Sequence, residues 1–296
     1  MKIKYQWLCI LFLLLNSCSS MPKEERAQNV NTQKEQAALY LKRGHNDYTW
    51  ANFESALHLY GKAFTLSSSV DWIEGMVRSL IHMSRSSDRL NDSEQARVYL
   101  DQAFYLLDDS VPPELALLVQ NRKTEWLLFN DSPESALQWN DMVLKDMKTI
   151  KSEEAGEVWR VRGAILKALK EYDLALEAMN KALKLDQKGN YISELASDYY
   201  ILASILSLSN REDEAILSMY SALEKDKFIE NTPGIAQDLY GLGLIYEKLG
   251  DHEKAYHYFQ RSYLVQQGSD QESIPERLLS RLQNPPDESP WNIDSD

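Results

Sequence analysis

An all-α chain, stacked from about six antiparallel helical hairpins into a solenoid, is what the spacing of small and large residues implies. Alanines recur at positions 56, 96, 136, 175, 215 and 255, an interval that departs from constancy once and by a single position. Such a beat marks an internal repeat, in which each unit buries its apolar face against its neighbours. Five of the six, Ala136 excepted, are followed at plus four by a large side chain and three residues later by a small one. Ala255, Phe259 and Ser262 in KAYHYFQRSY show the pattern, and these spacings share one face of a helix. A second periodic segment precedes the clearest copies: Trp159, Gly163 and Leu166; Tyr199, Ala203 and Leu206; Leu239, Gly243 and Tyr246. The polar turns LKEYD at 169–173, SNRED at 209–213 and LGDHE at 249–253 are short enough to force the two helices of each copy antiparallel.

From the N-terminus, Lys2 and Lys4 precede nine apolar residues, Trp7 to Leu15, in the order of parts of a secretory signal peptide. A membrane-spanning helix needs about 20. Leu15-Asn16-Ser17-Cys18 resembles a bacterial lipobox, with Asn16 departing from the usual Ala, Ser or Thr. The resemblance implies a lipoprotein signal peptide over 1–17 and a lipid anchor on Cys18. Ser19, where an Asp would imply inner-membrane retention, implies the outer membrane. The alternative is an ordinary signal peptide that leaves Cys18 as a free thiol. Residues 18–36 are polar and without apolar periodicity, which reads as a flexible lipidated tether.

The solenoid is expected over 37–283. Copy two reads as having a stretched turn, SRSSDRLNDSE at 84–94, and copy three carries Gln120 and Lys123 where apolar residues are usual. Residues 272–283, with Ile274, Leu278 and Leu282 on one face, read as the capping helix that a terminal repeat requires. After it, 284–296 holds four acids, no base and several prolines, the composition of a disordered tail. Gly163, Ala175 and Ala182 remove bulk where helices approach, and Trp159 and Met179 fill the space beside them. Gly inside a helix costs roughly 1 kcal/mol relative to Ala, so Gly163 and Gly243 point to close packing.

These residues resemble the tetratricopeptide repeat family over roughly 37–270, with Trp159, Gly163, Ala175 and Ala182 the best match. The departures are a period near 40 where about 34 is usual, Arg162 where Leu is common, and no proline closing each unit. The resemblance implies a right-handed superhelix whose concave face is lined by the first helix of each hairpin.

Lys and Arg number 32 against 45 acids, a net charge of -13, and such a surface repels phosphate backbones, which excludes nucleic acid. Both cysteines lie within the first eighteen residues, so the body carries no disulfide framework and no CxxC site. His252, Glu253 and His257 form HExxxH, one residue too long for a helical zinc pair, and Gly241-x-Gly243 lies inside a helix with no strand before it. No catalytic, metal or cofactor site is therefore expected. One step past the packing positions on the first helices runs a stripe: Leu41, His45 and Tyr48; Arg160, Ala164 and Lys167; Tyr200, Ser204 and Ser207; Tyr240, Leu244 and Glu247. Within it Arg160, Lys167, Tyr200, Ser204, Tyr240 and Leu244 are the expected partner groove, suited to a protein or an extended peptide. The expected function is a scaffold lipoprotein of the cell envelope that catalyses nothing. Binding of a small apolar ligand, or association with a transporter, is the alternative.

Overall fold

The computed structural model describes residues 23–108, 110–147, 152–269 and 274–283. The signal segment 1–17, Cys18 and the tail 284–296 lie outside the described residues. Thirteen helices and no strand occur among the described residues, in six hairpins and a terminal helix. The hairpins are α1 (Lys23–Thr49) with α2 (Phe53–Ser69), α3 (Ile73–Arg89) with α4 (Ser93–Tyr105), α5 (Pro113–Asn130) with α6 (Pro133–Asp146), α7 (Glu153–Ala168) with α8 (Tyr172–Gly189), α9 (Ile192–Leu208) with α10 (Glu212–Phe228), and α11 (Thr232–Lys248) with α12 (His252–Gln267); α13 (Glu276–Leu282) follows.

Each alanine of the repeat sits in the second helix of its hairpin and is buried. In the first, fourth and sixth hairpins, the larger residue at plus four packs against a glycine of the first helix. A Cβ added at Gly163 would lie 2.5 Å from Met179 Sδ, one at Gly243 2.4 Å from the Phe259 ring, and one at Gly44 2.6 Å from the Tyr60 ring. Close helix approach is thus written as one small and one large partner, which lets interior packing reach crystal-like density. Gly243→Leu is expected to destabilise by roughly 1–3 kcal/mol, and more than Gly163→Leu, because a ring yields less than a thioether. Thermal melts of both variants check this; equal or unchanged midpoints would place the helix register elsewhere.

Five hairpin turns close through one left-handed residue, Ala51, Asn91, Lys170, Asn210 or Gly250. The next amide then reaches back to a carbonyl in the last helical turn, as Arg211 N to Leu206 O at 2.9 Å and Asp251 N to Tyr246 O at 3.0 Å. These bonds satisfy carbonyls the helix end would leave unpaired.

Two expectations are corrected. Residues 23–36, read as tether, belong to α1, so the first helix begins at Lys23. The stretched turn at 84–94 does not exist: α3 continues to Arg89, and its Ser84, Ser86, Ser87 and Asp88 are buried. Ser84 and Asp88 face copy three instead, through Arg122 and Asn130 rather than Gln120 or Lys123. Arg122, 2% exposed, pairs with Asp88 and donates to Ser84 Oγ at 3.0 Å, and Asn130 Nδ2 donates to Asp88 Oδ1 at 2.9 Å. Lys123 lies 3.6 Å from the centroid of the Trp139 ring. The junction is held by a polar network centred on Arg122, which apolar periodicity alone does not reveal. Arg162, the departure from the family pattern, is likewise placed: it donates to Asn140 Oδ1 at 2.9 Å and to Asp141 Oδ1 at 2.7 Å.

The stack curls until its ends meet. α11 packs against α1, and Gln237 Nε2 donates to Thr49 O at 3.3 Å across 188 residues. The first helices therefore form an inner wall around a central cavity. At the far end Leu278 of α13 is buried against Ala255 and Phe259, with Ile274 and Leu282 alongside, covering the face of the last hairpin.

Candidate functional site

The central cavity measures about 600 Å³ and takes residues from α1, α3, α5, α7, α9 and α11. Charges dominate it. Arg78, Arg85 and Arg160 line it, as do Glu153, Glu154, Glu157, Glu194, Asp226 and Asp238. Arg85 binds both Glu125 oxygens at 2.9 Å and Glu157 Oε1 at 2.5 Å, and Arg78 Nη2 binds Glu154 Oε1 at 3.1 Å. Arg160 spans two helices, giving Nη2 to Asp186 Oδ2 at 2.7 Å and Nε to Asp198 Oδ1 at 2.6 Å. These arginines tie successive hairpins together around the wall.

The two histidines of the cavity are both shifted toward the neutral form. Burial and then the Arg85 charge lower His45, and the same two causes hold His82 well below its ordinary range, stacked 4.8 Å from the Tyr60 ring centroid. The carboxylates at the other side behave oppositely. Burial, and then the neighbouring Glu153, push Glu194 up to about 7; burial, and then Asp226, push Asp238 up to about 9. Desolvation and like charge both favour the neutral acid. No Lys or Arg forms an ion pair with Glu153, Glu194, Asp226 or Asp238 among the described residues. The cavity is thus saturated with salt bridges on the α3 and α5 side and left with unpaired acids on the α9 and α11 side.

The six expected groove residues do not form one surface. Arg160 faces the central cavity, but its guanidinium is spent on Asp186 and Asp198. Tyr200 lies between the central cavity and a second one of about 320 Å³, which Tyr240 and Leu244 line together with Trp50, Arg89 and Arg277. The Arg277 guanidinium stands 5.3 Å from the Tyr240 ring centroid. Lys167 and Ser204 line neither cavity; they approach each other at 3.5 Å, and burial lowers the Lys167 amine. The stripe runs to the C-terminal ends of the first helices, whereas closure of the ring sets the cavity at the N-terminal halves of α7, α9 and α11. Arg78, His82, Arg85, Glu194 and Asp238 were missed. Of these, Asp238 carries a sequence signal, the recurrence of Asp at 186 and 226 and at 198 and 238, each pair one repeat apart.

Among the described residues no cluster of His, Cys, Asp and Glu could hold a metal ion, and no helix is long and apolar enough to cross a membrane.

Helical hairpins repeating at a near-constant interval around a concave, polar cavity define a helical-repeat binding protein. Residues 156–188 and 239–267 each match a family model described as tetratricopeptide repeat, so the chain carries tetratricopeptide repeats in its fourth and sixth hairpins. It is similar to tetratricopeptide repeat protein 29 of Trypanosoma brucei brucei, 25% identical over 129 residues, which are 43% of this chain and 27% of that protein. The chain therefore spans about a quarter of that relative's length. Solved structures with a similar fold include BtubC of P. vanneervenii, with TM-score 0.56 and 15% identity over 78% of this chain and 95% of that one. A Rap protein complexed with competence and sporulation factor has TM-score 0.54 and 15% identity over 79% and 66%. PilW, a type IV pilus biogenesis factor, has TM-score 0.50 and 15% identity over 82% and 96%. At such identity these structures share the fold. Proteins of this repeat family are typically scaffolds for protein interaction without enzymatic activity.

Proposed function

We propose that the protein is a scaffold that holds a segment of another protein in its central cavity and is attached to a membrane of the cell envelope by lipid on Cys18. The observation that carries the reading is the ring itself: six first helices converge on one cavity whose volume falls within the range of about 300–1,000 Å³ usual for binding clefts. Its lining of arginines, carboxylates, amides and Tyr200 suits the backbone and polar side chains of an extended segment. The same lining counts against a small apolar ligand, which would leave these groups desolvated and unpaired. A Rap protein of similar fold was solved in complex with competence and sporulation factor, and PilW of similar fold is a type IV pilus biogenesis factor. The anchor rests on the lipobox-like Leu15 to Cys18, and Ser19 favours the outer membrane.

Photo-crosslinking in the native cell tests both halves. A benzophenone residue at Ser197, exposed on the cavity wall, is expected to capture a partner in the membrane fraction, while one at Leu217, exposed on the second helix of the same hairpin, is not. Cys18→Ala is expected to abolish labelling by radioactive palmitate and release the protein from membranes. Capture from Leu217 alone would move the binding face to the outside of the ring, and palmitate labelling that survives Cys18→Ala would remove the anchor.

A further inference from the structure

Equivalent positions recur from one repeat to the next, and one set of them is complete in one junction and incomplete in the following one. Asp186 at the end of α8 and Asp198 on α9 are joined by Arg160 of α7, with bonds of 2.7 and 2.6 Å. One repeat further on stand Asp226 at the end of α10 and Asp238 on α11, but the position of Arg160 is taken by Tyr200. The second pair is nearly as deeply placed as the first: Asp226 is 5% exposed and Asp238 1%. Asn231 Nδ2 donates to Asp226 Oδ1 at 2.9 Å. The Asp226 and Asp238 carboxyls bond to each other, as those of Asp186 and Asp198 do. Asp238 Oδ2 receives no bond from any Lys, Arg or amide, and no Lys or Arg forms an ion pair with either acid among the described residues. Unlike Asp186 and Asp198, both acids line the central cavity, as do Tyr200 and Gly234. A Cβ on Gly234 would fall 2.0 Å from Asp226 Oδ2, so a side chain there would displace the carboxylate from its place.

Two adjacent buried acids with no cation are costly, and packing does not require them, since apolar residues of like volume would fill the space without the desolvation penalty. The cost is offset once a cation arrives. We infer that Asp226 and Asp238, with Tyr200 beside them, form the binding site for a basic side chain, an arginine or a lysine, of the segment that the cavity holds. The partner then supplies the group that Arg160 supplies within the chain one repeat earlier. This inference rests on the proposed binding of a protein segment in the cavity. The chemistry is favourable on three counts: a guanidinium or ammonium makes charge-assisted hydrogen bonds to two carboxylates, the face of a tyrosine ring attracts cations, and the chain's net charge of -13 draws a basic segment in. Glu153 and Glu194, likewise without an ion pair, extend the acidic lining along the same cavity.

The test is selection of displayed random dodecapeptides on the full chain and on two folded variants, the doubly substituted Asp226→Asn/Asp238→Asn and Tyr200→Arg, each checked for native helicity. The wild type is expected to enrich peptides with Arg or Lys at one fixed position. Both variants are expected to lose that preference while keeping the rest of the motif, the first because the acids are gone and the second because the chain now fills the slot itself. For the best peptide, measured by fluorescence anisotropy, changing its basic residue to norleucine should weaken binding at least about tenfold to the wild type and hardly at all to either variant. A motif without a basic residue, or a basic residue kept by both variants, overturns this inference and leaves the cavity as a peptide site. Enrichment of nothing by the wild type overturns the peptide-binding reading itself.

Discussion

Replacing Arg160 by alanine is expected to lower the unfolding free energy by about 3–5 kcal/mol, an effect on the fold before any effect on binding. Sequence periodicity puts Arg160 on the concave stripe, where a base would await a partner. The structure places its guanidinium between Asp186 and Asp198, both fully buried, at 2.7 and 2.6 Å. Truncation leaves two carboxylates desolvated without their cation, and the helices α7, α8 and α9 lose the bond that joins two hairpins. Part of the loss is expected to return when Asp186→Asn and Asp198→Asn are added, because the stranded charges then disappear while the amides keep hydrogen-bonding capacity. Urea denaturation of the single and triple variants reads both effects. A single variant as stable as the wild type would mean that the trio is not formed in solution.

The repeat was legible because its signal is steric. An alanine buried at each anchor, and a small residue opposite the large ones, follow directly from how closely two helices approach, so the regular beat locates all six second helices. The polar junctions were not legible. Ser84 and Asp88 read as turn and Lys123 as a misplaced polar residue, because a buried polar network needs partners from different helices, here Arg122 of α5 reaching back to Ser84 and Asp88 of α3. The site failed for a related reason. Which part of each first helix faces the cavity depends on how far the stack curls, and that sum of small rotations, closed by Gln237 on Thr49, is written in no single repeat. Arg160 and Tyr200 both line the inner wall at equivalent positions, and their different fates follow from the acids around them.

The carboxyl pair without a cation also makes stability depend on pH, in a direction opposite to that of most paired acids. Asp238 is held at about 9 by burial and by Asp226, against an ordinary value near 4, so the folded state binds the proton more tightly than the unfolded chain does. Stability from this proton is fully present below about pH 4 and is lost as pH rises toward 9, at up to about 1.4 kcal/mol per pH unit. Asp238→Asn removes the titration and keeps a donor for Asp226, as the protonated acid does. The variant is expected to match the wild type near pH 4 and to exceed it by about 2 kcal/mol or more at pH 8, where the wild type must either hold a proton or bury a second charge. Glu194, pushed up to about 7 beside Glu153, titrates in both proteins, so each curve bends near neutrality and only their difference reports Asp238. Urea midpoints at pH 4, 6 and 8 give that difference. A gap that does not widen with pH, or a variant less stable than the wild type at pH 8, would show that the pair is hydrated or already neutralised, and the cavity would then hold no vacancy for a partner's cation to fill.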